Sequence, residues 1–126
     1  MTMEPRKKIL VVDDSSTALL VERMILSKGA YNLITAQDGE EAVATAIAEH
    51  PDLILMDVVM PRMNGFEACQ ALRSHPETGQ TPIILVTTRG EADNVEKGFT
   101  NGCNDYVTKP INSLELLAKI KDYLGE

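Results

Sequence analysis

The sequence predicts an α/β protein, a doubly wound parallel sheet made of five strand–helix units. Two observations predict it. Three short, unbroken apolar runs, Ile9–Val12, Leu53–Met56 and Ile83–Val86, have the length of strands and are too apolar for a sheet with one wet face. Helix-length segments with recognisable starts and stops lie between them, and such alternation implies parallel strands with helices on both faces.

Each element has its own signal. Tyr31–Ala36 and Cys103–Val107 mix polar and apolar residues, which suits strands at the sheet edges. Ser15–Lys28 reads as a helix stopped by Gly29, a favoured residue just past a helix end. Asp38 with Glu41, Asn64 with Glu67 and Asn112 with Glu115 have the spacing of helix N-terminal capping pairs. His50-Pro51 closes the second helix, because proline disfavours helical geometry in the residue before it. Glu91–Thr100 is the weakest helix, with Gly98 lowering its propensity. In the last helix Leu114, Leu117, Ile120 and Leu124 recur at three-to-four-residue spacing and predict one core-facing stripe. Three buried strands inside and two polar ones outside fit the flavodoxin-like order 2-1-3-4-5, given right-handed crossovers.

The global numbers fit one domain spanning residues 1–126. A chain of 126 residues is enough for one core and not for two. The net charge of -7 argues against a nucleic-acid or anionic-membrane surface, and no stretch is long enough to span a bilayer. Cys69 and Cys103 lack C-x-x-C spacing and read as reduced, half-buried thiols of a cytoplasmic protein. His50 and His75 each precede a proline and have no second metal-type ligand at helical spacing, so both read as structural or solvated.

In sheets of this kind ligands bind beyond the carboxyl ends of the strands. Polar residues gather there: Asp13 and Asp14 after the first strand, Asp57 after the third, Thr87 at the end of the fourth, and Lys109-Pro110 after the fifth. Taken singly, each has a plain structural explanation. Asp13-Asp14 could cap the next helix, Asp57 could form an ion pair with Lys109, and Tyr106 could be an edge-strand aromatic. Together they place three carboxylates in one pocket, more negative charge than one lysine balances. Mg2+, a hard cation that takes oxygen ligands and readily adds phosphate oxygens, would balance it. A carboxylate can act as nucleophile toward phosphorus, and the transfer then needs mainly alignment and neutralisation of negative charge. No recognition element for a nucleotide is evident.

Over essentially its whole length the sequence resembles a response-regulator receiver domain of two-component systems. The resemblance is carried by VVDDS (Val11–Ser15), LILMDVVMPRMNGFE (Leu53–Glu67), IILVTT (Ile83–Thr88) and GCNDYVTKPI (Gly102–Ile111), in that order. It implies that Asp57 accepts a phosphoryl group from a histidine kinase or phosphotransfer protein. It implies Mg2+ on Asp14, Asp57 and the main-chain carbonyl of Val59, with Asp13 assisting, and a cis Lys109-Pro110 bond. Lys109 would pair with the phosphoryl group. Thr87 and Tyr106 would form the switch that alters the face made by the fourth helix, fifth strand and fifth helix. Lys119 and Lys121 are expected to be solvated or to contact partners there. The expected protein is a monomeric signalling switch rather than an enzyme acting on other molecules, binding a downstream protein, for example in chemotaxis or motility. No DNA-binding or enzymatic output is expected within these residues.

Three positions depart from the commonest pattern: Val59 where a polar residue often lies near the hydrolytic water, Arg89 near the same opening, and Thr88, bulkier than usual. Val59 predicts a long phosphorylated lifetime. Gly90 and Gly98 bracket the fourth helix and predict low local stability there. A haloacid-dehalogenase-type phosphatase would need a second aspartate at position 59. A flavodoxin would need a first loop free of Asp13-Asp14 and more aromatics than this chain carries. Two alternatives stay open: a docking receiver that works without phosphorylation, and a receiver excised from a larger regulator or hybrid kinase.

Overall fold

The computed structural model describes residues 6–88 and 92–126. Arg89, Gly90 and Glu91, for which the sequence carries expectations, lie outside the described residues. The strands are β1 (Lys7–Val12), β2 (Tyr31–Ala36), β3 (Leu53–Asp57), β4 (Ile83–Thr88) and β5 (Asp105–Lys109). The helices are α1 (Ser16–Leu26), α2 (Gly39–Glu49), α3 (Gly65–Ser74), α4 (Ala92–Thr100) and α5 (Ser113–Leu124). All four strand pairs are parallel, in the order β2-β1-β3-β4-β5. The expected architecture holds. The fifth strand begins later than Cys103: it takes in Lys109, and Asn104 before it bonds across to Ile83.

Period-two alternation divides the core into two layers. Leu10, Val12, Ile54, Met56, Ile83 and Leu85 meet the small inner residues of α2 and α3, including Ala42, Ala46, Ala68 and Cys69. Ile9, Val11, Leu55, Ile84, Val86 and Val107 point the other way, to Leu19, Ile25 and Leu26 of α1 and Leu116 and Ile120 of α5. The capping pairs close as their spacing predicts. Asp38, Asn64 and Asn112 accept from the main-chain N–H of Glu41, Glu67 and Glu115, and Glu67 returns a bond to Asn64. His50 ends α2 in the left-handed conformation (φ 50°), one way out of a helix ahead of a proline.

The last helix corrects one expectation. Leu114 is 80 % exposed, and Leu116 with Ile120 forms the buried stripe that Leu117 and Leu124 flank. Leu114 stands in the first turn of α5, on the side of the helix away from Leu116 and Ile120. Both cysteines are buried free thiols; burial pushes Cys69 up to about 12 and Cys103 up to about 11, so neither ionises near neutral pH.

One half-buried arginine ties the edge of the sheet opposite the carboxyl ends. The Arg73 guanidinium donates to the carbonyls of Gly102, Thr78, Gly79 and Thr81 and to the side chain of Asn104. It joins the turn before β4 to the turn before β5, and nothing in the sequence pattern marked it out.

Candidate functional site

Strand alternation explains why the acids converge. Asp13 follows Val11, Asp57 follows Leu55 and Lys109 follows Val107 by two residues, so all three are directed to the α1/α5 face at the sheet's carboxyl end. Gly65 lets α3 start close by: a Cβ there would lie 2.6 Å from the Asp57 carbonyl oxygen, and its N–H instead donates to the Val58 carbonyl.

Oxygens of Asp13, Asp14 and Asp57 lie within 4.8 Å of one another. Asp13 is fully buried and Asp57 is 8 % exposed, while Asp14 is exposed. Lys109 Nζ stands 3.2 Å from Asp57 Oδ2 and 3.3 Å from Asp13 Oδ2. The other oxygen of Asp13 accepts from the Ser15 N–H at 3.0 Å. Burial, and next the charge of Asp13, raise the Asp57 carboxyl above its ordinary range, and Lys109 only partly opposes this. Burial works against the charge of Lys109, but Asp57 and Asp13 outweigh it and hold the ammonium above its usual value. The site is therefore over-supplied with negative charge, and its all-oxygen donor set suits a small divalent cation.

Asp57 is in register with Val86, which puts Thr87 one residue further along β4; Thr87 itself is in register with Thr108 and is buried. Val59, two residues after Asp57, is 67 % exposed. The Lys109-Pro110 bond is cis. Tyr106 lies on the face shared by Leu85 and Thr87, half-buried, with the Phe99 ring edge-on at 6.2 Å and Lys119 Nζ 5.7 Å from its centroid. Lys119 is thus more than a solvated residue: it pairs with Asp105 at 2.8 Å and bridges α5 to β5.

Glu22 of α1 is the acid that sequence reasoning missed. It is 2 % exposed, and its Oε2 has no hydrogen-bond partner among the described residues. Burial first, and then the Asp13 charge, push it up to about 8, with Lys109 opposing and Asp57 adding to the rise. The signal was present in the spacing, since Leu19, Glu22, Ile25 and Leu26 form the inward face of α1 and one of them is an acid.

Residues 9–121 match the family model described as the response regulator receiver domain. The chain belongs to this family. Among curated relatives, the receiver is 39 % identical to Protein PilH of Pseudomonas aeruginosa, over 94 % of its own length and 98 % of that protein's. It is 40 % identical to the alkaline phosphatase synthesis transcriptional regulatory protein PhoP of Bacillus subtilis, but there it spans only 48 % of the relative. Among solved structures, the chemotaxis response regulator CheY4 of Vibrio cholerae superposes with a TM-score of 0.87 at 34 % identity, over 95 % of this chain and all of that one. The receiver domain of sensor histidine kinase PA1611 from Pseudomonas aeruginosa, which carries a magnesium ion in its active-site cleft, gives 0.89 at 29 % identity, over 97 % of this chain and all of that one. Membership makes this a two-component signalling domain with the family's fold. Among the described residues no helix is long and apolar enough to cross a membrane.

Proposed function

We propose that residues 1–126 form one cytoplasmic receiver unit in which Asp57 accepts a phosphoryl group from a histidine kinase or phosphotransfer protein. The observation that carries the reading is the meeting of Asp13, Asp14 and Asp57 within 4.8 Å, with Lys109 3.2 Å from Asp57. An Asp57 carboxylate oxygen forms the new bond to phosphorus as the donor's bond to the same phosphorus breaks. Mg2+, held by Asp14, Asp57 and the Val59 carbonyl with Asp13 assisting, would supply charge neutralisation for the phosphoryl oxygens. Lys109 is placed to exchange its contact with Asp57 for one with a phosphoryl oxygen. Asp13 holds that ammonium in reach and is itself fixed by the Ser15 N–H.

The response runs through Thr87 and Tyr106. Sharing one face of the sheet, they can couple a hydroxyl drawn toward the phosphoryl group to a turn of the Tyr106 ring. That turn would break the Phe99 and Lys119 contacts and remodel the surface formed by α4, β5 and α5, which a downstream protein reads. Chemotaxis is the output with support, from the likeness to CheY4.

Acetyl phosphate with Mg2+, followed by intact-mass measurement, tests the reading. A gain of one phosphoryl group that disappears in Asp57→Ala is expected. No gain in the unaltered protein, or a gain that survives in Asp57→Ala, would overturn it and favour a docking module that works without phosphorylation.

A further inference from the structure

β5 is the last strand of the sheet, so one of its long edges is open among the described residues. Asp105 and Tyr106 follow one another along it and point to opposite faces, Asp105 with Val107 toward α5 and Tyr106 with Leu85 and Thr87 the other way. The ammonium of Lys119 reaches both. Its Nζ donates to Asp105 Oδ1 at 2.8 Å and stands over the Tyr106 ring, 5.7 Å from the centroid. The same carboxylate oxygen accepts from the Tyr106 N–H at 2.8 Å, and the Tyr123 hydroxyl lies 3.3 Å from its other oxygen. Asp105 is thus fixed to the backbone of β5 and to α5, and it fixes Lys119 in turn. A lysine left to itself samples many rotamers, and this ion pair removes that freedom. The side chains of the pair are 28 % and 21 % exposed, so water screens their attraction less than at an open surface. The Asp105 bond holds the Lys119 ammonium above its usual value, which keeps the charge over the ring complete at neutral pH.

We propose that Lys119 and Asp105 are positioning residues of the switch, together a latch that favours the packing seen here over the one in which the Tyr106 ring has turned. The proposal rests on Asp57 as the phosphoryl acceptor and on Tyr106 as the ring that turns. Phosphorylation then has to part the ring from Lys119 as well as from Phe99. A ligand shifts a two-state equilibrium only by its difference in affinity for the two states, so whatever stabilises the present packing lowers the apparent affinity for a phosphoryl-like ligand. A cation over a partly exposed aromatic ring corresponds to about twofold to fivefold in that equilibrium. Lys119 acts on the ring directly, and Asp105 acts through Lys119.

The test uses beryllofluoride, formed from beryllium chloride and excess fluoride, which mimics a phosphoryl group on a carboxylate. The whole chain in Mg2+ buffer is titrated with it while the Tyr106 ring signals are followed by NMR, in the unaltered protein, Lys119→Gln, Asp105→Asn and the double variant. Each single variant is expected to bind about twofold to fivefold more tightly than the unaltered protein. Before any beryllofluoride is added, the Tyr106 signals of each variant should already lie displaced toward their positions in the liganded unaltered protein. Charge alone predicts the opposite for Lys119→Gln, since losing a cation weakens the attraction for an anion. The double variant should gain no more than Lys119→Gln, because Asp105 acts through that lysine. Equal or weaker binding in Lys119→Gln, ring signals that stay in place, or single gains that add in full would each overturn the proposal. An unaltered protein that takes up no beryllofluoride would overturn the assignment of Asp57 and the latch with it, whereas normal uptake with variants that behave alike would overturn the latch alone.

Discussion

Replacing Glu22 with glutamine should stabilise this receiver, and do so more strongly as the pH rises. The carboxyl is pushed up to about 8 in the folded chain, against 4.5 for an unburied glutamate. Below pH 4.5 both states hold the proton, and the shift costs nothing. Between 4.5 and 8 the unfolded chain has released its proton while the folded chain keeps it, so folding loses about 1.4 kcal/mol per pH unit. The penalty is about 1 kcal/mol at pH 5, about 3 kcal/mol at pH 7, and levels off above pH 8. Glutamine keeps the shape and cannot ionise, and whatever its amide costs is the same at every pH. Urea unfolding of both proteins in metal-free buffer at pH 5, 6, 7 and 8 isolates the difference. The gap between their midpoints should widen by about 1 M urea between pH 5 and pH 7, given an m-value of about 2 kcal/mol/M for a domain of this size. Midpoint curves that stay parallel across that range would refute the reasoning, because they would mean that Glu22 titrates alike in both states.

Three further outcomes follow from the geometry. Asp57→Ala should cost less than about 1 kcal/mol without metal, since it removes one acid from a crowded cluster; the unaltered protein should gain Tm on adding Mg2+ and Asp57→Ala should not, and thermal melts with and without Mg2+ check both. Arg73→Ala should lower stability by about 2–4 kcal/mol in urea unfolding, because four carbonyls and the Asn104 side chain each lose a bond from the same cationic donor. Val59→Asn should shorten the phosphorylated lifetime severalfold after acetyl phosphate labelling, by placing a polar group where Val59 is 67 % exposed; an unchanged lifetime would remove Val59 as its cause.

Much of this molecule was legible in its sequence because the strands are buried on both faces. Runs such as Leu53–Met56 can be little else, and the caps at Asp38, Asn64 and Asn112 mark helix starts through local bonds alone. The acid cluster was legible for the same reason, since alternation along three strands directs Asp13, Asp57 and Lys109 to one face. What escaped depends on contacts between distant segments. Leu114 and Leu116 both fit a helical apolar pattern, and only the docking angle of α5 decides that Leu116 goes in and Leu114 stays out. Arg73 reaches residues up to 31 positions away, which no local periodicity encodes. Glu22 could have been suspected from the spacing of α1, but whether an acid on that face finds a partner is settled by what α1 packs against.

The Arg73 tie also bears on how signals can travel. It clamps Gly102 and Asn104 just beyond the end of α4, whereas the first residue of α4 follows closely on the strand that carries Thr87. The two ends of α4 are therefore held unequally among the described residues: its tail runs into a turn that five bonds of one guanidinium fasten, so a rearrangement of α4 meets its firmest anchor there.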